Sequence, residues 1–397
     1  MSSSETHERM ERELQSLRDL SQYRSLEIPA GLNLCSNDYL GLATDPRLKQ
    51  AAADAIARGA AVGSTGSRLL SGNSREWEEL EFEFAEFAGT EASLYFSSGY
   101  AANIGVLSSL LKPGDLVFSD ALNHASLIDG IRLSGATRVI YPHCDLGFLQ
   151  NSLREHSPCF GTKLIVTESL FSMQGDTAPL REMLDLARRH GADLVIDEAH
   201  AIGTYGPRGR GVVAQLGIER DMLAIVHTCG KALASVGAFV CGSRVLKEYL
   251  VNRARTFIFS TAMPPYLTSQ IQAALKIATD AEAERNHLRK ISHALREGLT
   301  AAGINCGSTL PAGTGESQIV PAILGTNEAA LHVACELQSA GFAVKAIRPP
   351  TVPPGTARLR ISLTSKITVP DAERLLAAIV AACQTLPRET IATSVHA

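Results

Sequence analysis

Short runs of apolar residues recur between residues 93 and 226, each bounded by polar or glycine-rich sequence. They are Ser93-Leu94-Tyr95-Phe96, Leu116-Val117-Phe118, Arg138-Val139-Ile140-Tyr141, Leu164-Ile165-Val166, Asp193-Leu194-Val195-Ile196 and Leu223-Ala224-Ile225-Val226. A strand with one solvated face alternates apolar and polar residues. These runs are continuous, so both faces of the strands must be covered. Helical segments separate most of them, which predicts an α/β fold, a mostly parallel sheet sandwiched by helices. Gly237-Ala238-Phe239-Val240-Cys241-Gly242 follows the last run too closely for a helical crossover, and predicts an antiparallel return strand.

The flanking sequence predicts three parts. Residues 1–45 form an N-terminal helix and arm, with a charged amphipathic helix over 5–26 carrying Met10, Leu14, Leu17 and Leu20 on one stripe. Residues 46–284 form the large α/β domain; Asp45-Pro46 supplies a cap and first-turn proline for its first helix. A later helix there sets Trp77, Leu80, Phe84 and Phe87 inward and stops at Gly89. Residues 285–397 form a smaller α+β domain. It has helices near 285–301 and 328–340, strands near 318–320 and 358–363, and a polar tail over the last eight or so residues.

Composition narrows the class of function. A net charge of −4 and no Lys/Arg-rich block argue against a nucleic-acid partner. No apolar run approaches a bilayer span, and the polar N-terminus lacks a signal peptide's apolar core, so neither membrane nor export is expected. The eight cysteines are scattered without a Cys-x-x-Cys pair, which argues against structural zinc or a disulfide framework. Reduced thiols and a cytoplasmic location follow.

Ligands of open α/β sheets bind beyond the carboxyl ends of the strands. Here those ends deliver Glu168 to Asp176, then Asp197-Glu198-Ala199-His200, then Thr228 and Lys231. Lys231 stands among small residues just past a buried strand, poorly hydrated and approachable, as Schiff-base chemistry requires of a lysine. The turn Ser98-Gly99-Tyr100 opens a helix where backbone N–H groups can meet a phosphate. An NTPase reading of Asp-Glu-Ala-His fails, because no phosphate loop precedes it. The order of phosphate turn, acidic motif and lysine suits pyridoxal 5′-phosphate (PLP), whose ring nitrogen needs a carboxylate partner such as Asp197.

The chain resembles the α-oxoamine synthases, PLP enzymes of fold type I, from about residue 24 to 385. The resemblance is carried by Ser36 through Leu42, Ser98 through Asn103, Asn123-His124-Ala125-Ser126, Glu168 through Asp176, Asp197 through His200, Thr228 through Lys231 and Ser260 through Pro265. It implies that Lys231 anchors the cofactor and later acts as base on the substrate Cα. Asp197 then pairs with the ring nitrogen and His124 stacks on the ring. His200 and Ser172 serve the ring hydroxyl. Gly99, Tyr100 and Thr228 hold the phosphate, with Thr261 given by a second subunit of a homodimer with composite active sites. Asn37 and Arg360 orient the amino-acid carboxylate, and Arg24 and Thr351 belong to the substrate channel.

Ser67 through Asn73 and the Pro-rich segment Ala346 through Arg360 look like one branch of that family. Its members condense L-alanine with a pimeloyl thioester, pimeloyl-CoA or pimeloyl-ACP, with loss of CO₂, in biotin synthesis. Glycine with a shorter acyl-CoA is the neighbouring alternative, and a non-catalytic PLP-binding regulator the alternative of another class. Read without the family, His124 is a helix cap or core histidine, Arg360 a strand-edge ion-pair partner, and Thr351 a turn residue.

Overall fold

A computed structural model describes residues 4–156, 161–307 and 317–386. The expected polar tail falls outside the described residues. The chain forms two compact units, Asn37–Ser172 with Asp176–His287, and Met1–Ser36 with Met173–Gly175 and Leu288–Ala397.

The larger unit is built on a seven-stranded sheet. Numbered along the chain within that sheet, its strands are β1 (Ala92–Phe96), β2 (Leu116–Asp120), β3 (Thr137–Tyr141), β4 (Lys163–Glu168), β5 (Asp193–Asp197), β6 (Ala224–Thr228) and β7 (Ala238–Gly242). Their order across the sheet is β1-β7-β6-β5-β4-β2-β3. All neighbours are parallel except β7, which runs antiparallel to both β1 and β6. The predicted α/β class and the antiparallel return strand are both borne out.

Both faces are covered, which is why the strand sequences do not alternate. On one face Leu94, Phe96, Val117, Val166, Val195, Val226 and Val240 pack with Val106, Leu107, Leu127 and Ile131 of two helices. On the other, helix Arg75–Ala88 buries Trp77, Leu80 and Phe84. Phe84 stacks on Phe239 at 3.8 Å and Trp77 on Tyr95 at 4.3 Å between ring centroids. Phe84→Ala should therefore cost about 3–5 kcal/mol of stability, read by urea denaturation of the cofactor-free protein.

The smaller unit contains a three-stranded antiparallel sheet, with Ala357–Ser362 in the middle between Ala346–Ile347 and Ile319–Gly325. Its first helix, Glu5–Asp19, stops short of the expected residue 26. Ser21 turns the chain with φ 53°, and its carbonyl accepts from Arg348, so the helical ladder cannot continue. The stripe of Met10, Leu14, Leu17 and Leu20 is exposed in the monomer. Among the described residues no helix is long and apolar enough to cross a membrane.

Candidate active site

A cavity of about 380 Å³ opens at the carboxyl ends of β4, β5 and β6, within the larger unit. That size suits a small cofactor or metabolite. Its walls include Asn37, Gly99, Tyr100, His124, Asp197, His200, Thr228 and Lys231, which brings eight of the sequence-predicted site residues together.

One wall is the start of helix Gly99–Leu110. Ser98 caps it by accepting the N–H of Ala101 at 3.0 Å. The N–H groups of Gly99 and Tyr100 precede the helix's own hydrogen-bond ladder and lie at its positive end, where an anion is stabilised. A Cβ on Gly99 would come within 2.6 Å of Thr228 Cγ2, so only glycine lets this helix end approach β6 so closely. The Tyr100 hydroxyl donates to Asp129, away from that backbone role.

The floor is acidic. Asp197 ends β5 and is 5% exposed. Its Oδ1 accepts the N–H of Ala199 at 2.8 Å and its Oδ2 accepts Asn103 Nδ2 at 2.7 Å. The second carboxylate of the same motif, Glu198, faces away and takes the N–H of Val213 at 3.0 Å. Glu168 stands directly opposite Asp197 in register on β4, and its Oε1 has no hydrogen-bond partner among the described residues. Burial, then the Asp197 charge, push the Glu168 carboxyl up to about 8, against the pull of Lys231 and the His124 backbone N–H. A cationic ring nitrogen suits this acidic floor, and a phosphate suits the helix start, so the residues present fit PLP.

That shift has a sign that can be tested. The folded protein holds the Glu168 proton more tightly than the unfolded chain, so stability falls as pH rises from the ordinary carboxyl range toward about 8. Glu168→Gln removes this loss. The variant should gain more than about 1 kcal/mol on wild type between about pH 5 and about pH 8, by urea denaturation of the cofactor-free protein.

Lys231 lies in the tight connection between β6 and β7. Cys229 N–H donates to Gly237 O, and Ala234 N–H to Lys231 O, both at 2.9 Å. His200 Nδ1 is 2.6 Å from the hydroxyl of buried Tyr39, which also reaches Asn37 Oδ1 at 3.1 Å. His124 caps helix Ala125–Ser134 through Nδ1 while lining the cavity, so the plain helix-cap reading of it also holds.

The remaining expected residues do not line this cavity. Ser172 sits in the turn after Phe171. Thr261 is exposed and forms an antiparallel bridge with Ser67. In the smaller unit, Arg24 Nη2 donates to Thr351 Oγ1 at 2.9 Å, pairing two residues assigned to one channel. Arg360 is buried in strand Ala357–Ser362 and donates to Ser362 Oγ at 2.6 Å.

Asn103, Ser126 and Glu168 line the cavity too, without having been singled out in sequence. Asn103 is one helical turn past Gly99, and Ser126 is two residues after a capping histidine. Those spacings were the available signals. Asp120, His143 and Cys144 also converge. Both ring nitrogens of His143 are taken, by Asp120 at 3.0 Å and Asp176 at 2.9 Å. Burial opposes charge on that ring, but the two carboxylates outweigh it and hold its pKa at about 12, which makes the group an ion-pair bridge.

The model of the family described as aminotransferase class I and II matches residues 29–379. The 8-amino-7-oxononanoate synthase of Herminiimonas arsenicoxydans is 45% identical over 376 residues, spanning 91% of this chain and 95% of the relative. A solved SPT structure with a PLP internal aldimine superposes with a TM-score of 0.87 at 31% identity, covering 97% of this chain and 99% of the other. The solved 8-amino-7-oxononanoate synthase of Francisella tularensis gives a TM-score of 0.76 at 29% identity, covering 89% and 98%.

Proposed function

The chain belongs to the aminotransferase class I and II family, and from that premise we propose that it condenses L-alanine with a pimeloyl thioester. The products are 8-amino-7-oxononanoate, CO₂ and the free thiol of the carrier, a step of biotin synthesis. The observation that carries this reading is the meeting of Lys231, Asp197 and the start of helix Gly99–Leu110 around one cavity. The name shared by the most similar relatives supports the choice of substrates.

When bound, PLP supplies an electron sink for negative charge developing at the substrate Cα. Lys231 anchors it and then takes the Cα proton of alanine. The new bond forms between that carbon and the thioester carbonyl, the carrier thiolate leaves, and Lys231 returns a proton after CO₂ departs. Asp197 would hold the ring nitrogen protonated, and that cation would offset its buried charge. The N–H groups of Gly99 and Tyr100, with the Thr228 hydroxyl, take the phosphate. With the cofactor bound, His124 would face its ring, and His200 with Ser172 would serve its ring hydroxyl. Asn37 and Arg360 are assigned the amino-acid carboxylate, because a guanidinium fixes a carboxylate in two places and so selects the bond that breaks. Arg24 and Thr351 are assigned the acyl channel.

We read the working enzyme as a cytoplasmic homodimer in which Thr261 serves the partner's phosphate site. The exposure of Thr261 supports this. Thiol release from pimeloyl-CoA with alanine should exceed that from acetyl-CoA with glycine, or palmitoyl-CoA with serine, by about tenfold or more. Faster turnover of either other pair would overturn the substrate assignment.

A further inference from the structure

Asp197 and His124 are joined by an unbroken chain of side-chain hydrogen bonds. Asn103 Nδ2 donates to Asp197 Oδ2 at 2.7 Å and to Ser126 Oγ at 2.9 Å. Ser126 Oγ lies 2.8 Å from His124 Nδ1, and the Ser126 backbone N–H donates to the same nitrogen at 3.3 Å. Asn103 and Ser126 are both buried, at 1% exposure.

The hydrogens in this chain can be counted. A carboxylate only accepts, so the amide nitrogen of Asn103 must face Asp197, and both its hydrogens are then used. Ser126 Oγ accepts one of them and keeps its own hydrogen to give. A backbone N–H aimed at Nδ1 needs a lone pair there, so Nδ1 carries no proton. The Ser126 hydroxyl therefore donates to Nδ1 as well, and the ring proton resides on Nε2.

The surroundings favour the same state. Burial holds the His124 pKa below its ordinary value, with the Lys231 charge adding to the effect and Asp197 opposing it. The positive end of helix Ala125–Ser134, which His124 caps, also disfavours imidazolium. Glu168, the other carboxyl nearby, accepts the His124 backbone N–H.

We propose that Asn103 and Ser126 are positioning residues, whose single network holds Asp197 as a carboxylate and His124 as the neutral Nε2–H tautomer. The cavity thereby receives a fixed anion and a neutral ring from one structure. A neutral imidazole can lie against an electron-poor cofactor ring, whereas an imidazolium would be repelled by it. What the two groups meet rests on the cofactor reading above; the tautomer is a property of the protein with or without cofactor.

Long-range proton–nitrogen NMR on histidine-labelled protein reads the tautomer directly, before and after loading with PLP. Wild type should show neutral His124 with the proton on Nε2 from about pH 7 to about pH 8 in both states. Ser126→Ala removes the hydroxyl donor but keeps the backbone N–H, so the proton should stay on Nε2 while the ring titrates at higher pH and the cofactor dissociates about tenfold faster. Ser126→Thr, which keeps the hydroxyl, should keep the wild-type spectrum. A wild-type His124 that is cationic or protonated on Nδ1 at neutral pH would overturn the proposal, as would a Ser126→Ala ring that titrates at the wild-type pH. The wild-type spectrum is decisive even where a variant does not fold. An Nε2–H tautomer in a protein that binds no PLP would uphold the network and sink the cofactor reading alone.

Discussion

Lys231→Ala is expected to lower turnover by about a thousandfold or more and to remove the visible absorbance of lysine-linked PLP. Among the described residues Lys231 is the one lysine lining the cavity, and its connection is held by backbone bonds that do not involve its side chain. Cys229 N–H meets Gly237 O, and Ser235 N–H meets Cys229 O, both at 2.9 Å. The cofactor-free variant should therefore melt within a few degrees of wild type. A variant that loses activity together with its fold would not implicate the amine. A folded variant that keeps the visible band would place the anchor elsewhere.

Asp197→Ala should lower turnover by about a hundredfold or more and weaken PLP binding, because the ring nitrogen loses its only assigned anion. The truncation also strips acceptors from Ala199 N–H and Asn103 Nδ2, so part of the loss will appear as stability. Asp197→Asn separates the two effects. It keeps an acceptor but removes the charge, and the Glu168 carboxyl opposite should then titrate at lower pH, relieved of its neighbour's repulsion. Infrared difference spectra of the carboxyl stretch, compared with Glu168→Gln, would read that change. Turnover of Asp197→Asn close to wild type would mean the carboxylate does not set the state of the ring nitrogen.

The sheet was legible in the sequence because a strand buried on both faces leaves a local signature. Leu164-Ile165-Val166 and Leu194-Val195-Ile196 read as strands without any knowledge of their neighbours, and both lie inside observed strands. The short spacing from Lys231 to Ala238 left no room for a crossover helix, which fixed the direction of β7. Helix ends were less legible. The apolar stripe from Met10 to Leu20 gave no hint of the turn at Ser21, which depends on a contact with the distant Arg348.

The site divided along the same line. Residues set by strand ends, such as Asp197, Thr228 and Lys231, could be placed because the carboxyl edge of a parallel sheet is a known address. Glu168 ends β4 and stood at that same edge without a role of its own, but Asn103 and Ser126 could not be placed. Each is one polar residue in or beside an apolar element, and its partners come from other strands and helices. The excursion of Met173–Gly175 into the smaller unit was equally hidden, since nothing local distinguishes it from a surface turn.

The cavity around Lys231 and Asp197 is expected to join alanine to a pimeloyl thioester with loss of the alanine carboxyl group. Holoenzyme turning over carboxyl-labelled L-alanine and pimeloyl-CoA tests it directly. The prediction is one labelled CO₂ for each thiol released, with 8-amino-7-oxononanoate as the product by mass spectrometry. Thiol release with the label retained in the product, or no thiol release from this pair, would contradict it.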